Sequence, residues 1–144
     1  MGPPRRVVLD TNAVLDWLLF DGPAMQPMKA AVKQGRLLPI TNDACFAELE
    51  RVLQYPRLRR DEALGAALLT AYRTAAQWID ETTGEDVPRC RDRDDQKFLD
   101  LAAAVRADFL VTRDARVLGM SRRMGKRFGV RVMTQDGLND ILRA

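Results

Sequence analysis

Val7-Val8-Leu9 and Phe109-Leu110-Val111 are continuous apolar triplets, each followed within three residues by an aspartate, Asp10 and Asp114. A strand with one wet face alternates apolar and polar residues, so a strand without polar positions must be covered on both faces. A parallel sheet between helical layers supplies that cover, because each parallel connection needs a crossover, usually a helix. The intervening sequence reads as those helices. Ala13 to Phe20 looks helical and ends at Gly22-Pro23, after which Ala24, Met28, Ala31 and Val32 share one face of a segment closed by Gly35. Leu37 to Ile40 reads as a second strand, with Pro39 fitting best near a sheet edge.

Thr41, Asn42 or Asp43 can cap a helix that runs to about Gln54, before Tyr55-Pro56. From Asp61 to Ile79, the residues Leu64, Leu68, Ala71, Ala75, Trp78 and Ile79 form one apolar stripe. A short third strand is expected between Asp80 and Arg91, followed by a helix from Asp94 to Arg106. Phe109 to Val111 and Val130 to Met133 read as further strands, and a final helix lies near Gly137 to Leu142. This order predicts an α/β fold in a single domain over residues 1–144, since no repeat or linker divides the chain. In such sheets the ligand crevice lies beyond the carboxyl ends of the strands, where Asp10 and Asp114 fall.

Histidine is absent, which excludes Ser-His and Cys-His nucleophilic pairs and the common zinc sites. Cys45 and Cys90 have no metal-ligand spacing and read as reduced thiols. No apolar stretch reaches the length of a membrane span, and Met1-Gly2-Pro3-Pro4-Arg5-Arg6 leads into no secretory h-region, so cytoplasm is the expected location. Net charge is +3, with arginine clusters at Arg57-Leu58-Arg59-Arg60, at Arg89, Arg91 and Arg93, and at Arg122-Arg123 with Lys126-Arg127. Such a surface suits a polyanion such as RNA, and it equally suits plain solubility.

Against that background the inward-facing acids stand out. Asp10 leads Thr11 and Asn12 out of the first strand, where a helix cap needs one polar residue and three are present. Asp10 is therefore read as a metal ligand, with Thr11 and Asn12 fixing the loop around it. Glu48 shares a helical face with Cys45, Leu49 and Val52, whereas Glu50 points away. An ion pair with a core-facing arginine would explain it, but a metal-ligand role is the favoured reading. Asp95 lies three and seven residues before Phe98 and Ala102, on the inner face, with Asp92 or Asp94 as the cap or as a competing ligand. Asp114 completes the set, and Thr112 places a hydroxyl beside it. Without histidine, a metal held by these oxygens is Mg²⁺ or Mn²⁺. Trp17, Trp78 and Phe98 read as core, and Met120 and Met124 as a surface loop or a partner contact.

Arg6-Val7-Val8-Leu9-Asp10-Thr11-Asn12, Glu48, and the block from Asp92 to Ala102 followed by Ala107 to Asp114 together resemble a PIN domain. The resemblance runs from about Arg5 to Leu142 and is closest to the small VapC-like toxin components of toxin–antitoxin pairs. It implies a three-layer α/β/α sandwich around a mostly parallel sheet of four or five strands. It also implies a Mg²⁺- or Mn²⁺-dependent endoribonuclease, commonly dimeric, with an antitoxin partner. Carried over position by position, Asp10, Glu48, Asp95 and Asp114 match the acidic quartet, and Asn12 and Thr112 match auxiliary polar positions. The doubled Asp94-Asp95 and the presence of Arg113 depart from the pattern. Arg113, Arg91 and Arg93 are the candidates for binding substrate phosphate, and Asp92 for a supporting role. The rivals are a PIN fold that binds RNA or protein without turnover, and a phosphotransferase using Asp10 as nucleophile. The latter is disfavoured by Asn12, where a second aspartate is usual.

Overall fold

The computed structural model describes residues 2–19, 22–55, 62–80 and 86–144. Strands β1 (Arg5–Leu9), β2 (Leu37–Thr41), β3 (Gln77–Trp78), β4 (Phe109–Val111) and β5 (Arg131–Met133) form one all-parallel sheet in the order β3-β2-β1-β4-β5. The crossovers carry α1 (Thr11–Leu19), α2 (Gln26–Lys33), α3 (Asp43–Leu53), α4 (Glu62–Ala75), α5 (Gln96–Val105), α6 (Ala115–Leu118) and α7 (Ser121–Phe128), and α8 (Gln135–Arg143) follows β5.

The apolar triplets are buried on both faces, as expected. Val7, Leu9, Phe109 and Val111 enter one core with Met28, Phe46, Leu49, Tyr72 and Leu138. Val8 and Leu110 enter the opposite core with Phe98, Leu101, Val117 and Met124. Each such side chain contributes about 1.5–3 kcal/mol on burial, so two helical layers are held to a single sheet. Strand order reverses between β1 and β4, and at that switch point the Asp10 N–H donates to the Val111 carbonyl at 3.1 Å. The crevice expected of an open α/β sheet therefore lies between the loops leaving β1 and β4.

Three local expectations need correction. The third strand lies at Gln77–Trp78, before the segment where it was expected, and α4 stops at Ala75. Trp78 packs on the same core, with its ring 5.0 Å from that of Phe46, but the expected stripe is not the inner face of α4: Leu64 and Ala71 are exposed, and Tyr72, with Leu69 and Ala76, faces the core instead. Pro39 is in β2, which is flanked by β1 and β3. However, β3 pairs with Ile40 and Thr41, so the short strand stops before Pro39 and the missing N–H is tolerated. Met120 and Met124 flank and enter α7 rather than a loop, and Met124 is fully buried. Phe20, Arg57-Leu58-Arg59-Arg60, Asp61 and residues 81–85 lie outside the described residues. Among the described residues no helix is long and apolar enough to cross a membrane.

Candidate metal centre

Asp10 is buried where β1 hands over to α1. Its Oδ1 accepts the Ala13 N–H at 2.8 Å, so it does cap α1, and its Oδ2 accepts the Thr112 hydroxyl at 2.7 Å. Thr112 is itself buried after β4, and its oxygen accepts the Asp114 N–H at 3.0 Å. One hydroxyl thus ties together the acids that follow two neighbouring strands. Burial pushes the Asp10 carboxyl above its ordinary value. The Thr112 and Ala13 hydrogen bonds and the charge of Arg113 pull it back, and Asp16 raises it.

Asp114 caps α6, its Oδ1 accepting the Arg116 N–H at 2.8 Å. Asp92 caps the turn at Arg93–Asp95 by accepting the Asp94 N–H at 3.0 Å. Asp95 occupies the cap position of α5 but makes no capping hydrogen bond, which leaves its carboxylate to the crevice. Gln96 fastens the preceding segment to α5 by accepting the Cys90 N–H at 2.7 Å and donating to the Pro88 carbonyl at 3.1 Å. As a result Asp92, Asp95 and Asp114 each bring one oxygen to within 4.8 Å of the others. Burial, then the charges of Asp114 and Asp92, a hydrogen bond with Asp114 and the charge of Asp10 push the Asp95 carboxyl up to about 7. Arg116 reaches Asp92 and Asp114 at 3.7 Å, but its side chain is 55% exposed, so water screens it.

Glu48 lies on the inner side of α3 and Glu50 is exposed, in line with the helical phase. Its Oε1 is 2.6 Å from Lys97 Nζ and 3.9 Å from Arg51 Nη2, while its Oε2 accepts the Thr11 hydroxyl. Lys97 also donates to the Asp94 carbonyl. The ion-pair reading of Glu48 therefore describes its contacts, with lysine as the principal cation where an arginine was considered.

The remaining candidates are peripheral. Asn12 is exposed on the first turn of α1. Arg113 pairs with Asp16 at 3.2 Å, and both border a small cleft of about 50 Å³ with Asp10, Thr112 and Gln135. Arg91 and Arg93 are exposed, and Arg91 borders a cleft of about 290 Å³ with Arg116 and Met120. Lys97 and Arg116 hold site acids although their sequence context assigns them no such role, and Thr11, expected to steady the loop at Asp10, donates instead to Glu48. Adjacency to Asp10, Asp95 and Asp114 was their visible signal. Both cysteines are free, and burial pushes the Cys45 thiol up to about 12, which keeps it protonated and inert.

A parallel α/β sheet with carboxylates gathered beyond its switch point defines a class of protein whose site suits a hard cation. The oxygen-only donor set fits one, since a divalent ion relieves repulsion that the neighbouring acids impose on Asp95. A PIN domain family model matches residues 6–116, and the chain belongs to that family. PIN domains are generally nucleases and typically use a divalent metal. The match includes Asp10, Glu48, Asp92, Asp95 and Asp114 and ends within α6. A search of curated proteins finds no match.

Proposed function

We propose that this chain is a Mg²⁺- or Mn²⁺-dependent endoribonuclease, acting as the toxin of a toxin–antitoxin pair in the cytoplasm. The observation that carries the metal-dependent part is the convergence of Asp92, Asp95 and Asp114, one oxygen of each within 4.8 Å of the others, where burial and neighbouring acids push the Asp95 carboxyl up. A structural carboxylate gains nothing from that crowding, whereas a cation-binding one needs it. Asp92, Asp95 and Asp114 would hold the ion, with Asp10 bordering them. When bound, it would supply charge for the phosphodiester and lower the cost of forming a nucleophile from water.

The chain's own residues supply position. Thr112 and the Ala13 N–H lock Asp10, and Thr112 sets the loop from which Asp114 projects. Precise placement of this kind carries a large share of phosphoryl-transfer catalysis. Exposed Arg91, Arg93 and Arg113 would meet substrate phosphates. The basic α7, with Arg122, Arg123, Lys126 and Arg127 exposed, supports a polyanionic substrate. A dimer and an antitoxin that covers the crevice complete the reading.

The test is sequencing of RNA ends after expression of wild type beside Asp10→Asn, together with cleavage of RNA by purified protein in Mg²⁺ and in EDTA. New ends made by wild type, absent with the variant and suppressed by EDTA, are expected. Equal cleavage by wild type and Asp10→Asn would refute the mechanism. RNA binding without metal-dependent cleavage would instead support the non-catalytic module.

A further inference from the structure

Glu48 and Asp95 meet opposite neighbours. Each Glu48 oxygen accepts a hydrogen bond, Oε1 from Lys97 at 2.6 Å and Oε2 from the Thr11 hydroxyl. The Lys97 and Glu48 side chains are 20% and 13% exposed, so this pair is partly withheld from water and is not an ordinary surface contact. Lys97 is fixed from its own side as well. It lies on the first turn of α5, two residues beyond Asp95, and its ammonium donates to the Asp94 carbonyl. Two of its three donors are thereby committed to the site. Asp95 faces Asp114, Asp92 and Asp10.

We infer that Lys97 is a built-in counter-cation for Glu48, so that divalent binding is confined to the Asp92, Asp95 and Asp114 side with one ion per chain. This inference rests on the proposed metal-dependent reading and narrows it, because Glu48 ceases to be a ligand. A divalent ion brought to Glu48 Oε1 would stand beside an ammonium that repels it. Two-metal nucleases place a second ion beside the first to share the charge of the reacting phosphate. Here a covalently attached positive charge occupies the Glu48 arm, where chelators cannot remove it. Lys97 is on this account a positioning residue for Glu48 alone.

The test is calorimetric titration of the purified full chain with MnCl₂, read as stoichiometry and Kd and independent of any RNA. Wild type should bind one Mn²⁺. Asp95→Asn should weaken binding by at least tenfold. The charge-conserving double variant Glu48→Gln/Lys97→Gln should bind one Mn²⁺ within about threefold of wild type. Lys97→Gln alone, which releases Glu48, should tighten binding at least fivefold. Two ions on wild type, a tenfold loss in the double variant, or an unchanged Kd in Lys97→Gln would each overturn the inference. Should Lys97→Gln prove unfolded by circular dichroism, the double variant decides. Failure of every variant and of wild type to take up Mn²⁺ would instead sink the metal-site reading itself, and this inference with it.

Discussion

Asp10 and Asp95 are both acids at the start of a helix, yet the fold treats them differently. Asp10 is 5% exposed and spends both oxygens on hydrogen bonds, to the Ala13 N–H and the Thr112 hydroxyl. Asp95 is half-buried among acids and has no capping bond. The first is an anchor satisfied by the protein, and the second is a charge that the protein leaves unbalanced. Burial alone therefore does not mark a ligand. On the proposed reading, the ligand is instead a carboxylate gathered with other acids and given no capping bond, as Asp95 is. Glu48, with Lys97 beside it, belongs with the satisfied group.

The sharpest way to break this contrast is to neutralise the unbalanced side. Asp95→Asn should lower metal-dependent RNA cleavage by about 10²–10³-fold, the scale on which removing one charge-stabilising group acts. A loss below tenfold in a kinetic assay would erase the distinction. Next comes the anchor itself. Thr112→Val removes the hydroxyl that serves Asp10 and the Asp114 N–H, and should reduce turnover by about 10–100-fold. It should also cost about 1–3 kcal/mol in denaturant unfolding, because a buried acceptor loses its partner. Unchanged stability would mean that Asp10 does not depend on Thr112.

A pH series separates the two acids without the RNA assay. Asp95 has a folded value of about 7 against an ordinary value of 3.8, so the folded chain holds the extra proton between those limits. Its stabilising contribution is complete below the ordinary value and is lost as pH rises through about 7. In EDTA, wild type should therefore lose melting temperature between pH 5 and pH 8 relative to Asp95→Asn, by about 2 °C because the group is partly solvated. Parallel curves for the two proteins would contradict the raised carboxyl. The smallest effect belongs to Arg113→Ala. Its pair with Asp16 is exposed, so stability should change by less than about 1 kcal/mol. RNA affinity should fall only a few-fold, measured by titration at fixed salt.

Much of this architecture could be read before any coordinates. The triplets Val7-Val8-Leu9 and Phe109-Leu110-Val111 announced central parallel strands, because burial on both faces leaves no polar position. The acids after them followed from the chain's direction. Helical phase placed Glu48 inward with Leu49 and Asp95 on the face of buried Phe98. What escaped was short or long-range. A two-residue strand such as β3 has no period to detect, and the apolar Trp78 and Ile79 read as a continuation of the helix before it, whose inner face is set by Tyr72 rather than by Leu64 and Ala71. The α7 segment is so rich in charge and glycine that its single buried anchor, Met124, did not suggest a helix. The pairing of Lys97 with Glu48 spans 49 positions and has no local signature. For Asp92 the sequence left cap and competing ligand open, and the fold makes it a cap with one oxygen within reach of Asp95 and Asp114.

The central claim is that the unbalanced acids exist to hold a divalent cation. Thermal unfolding at pH 8 in excess MnCl₂ and in EDTA tests it most directly, since a ligand that binds only the folded chain must raise its melting temperature. The account predicts a clear rise for wild type that disappears in Asp95→Asn. Equal shifts in the two proteins, or none in wild type, would contradict it.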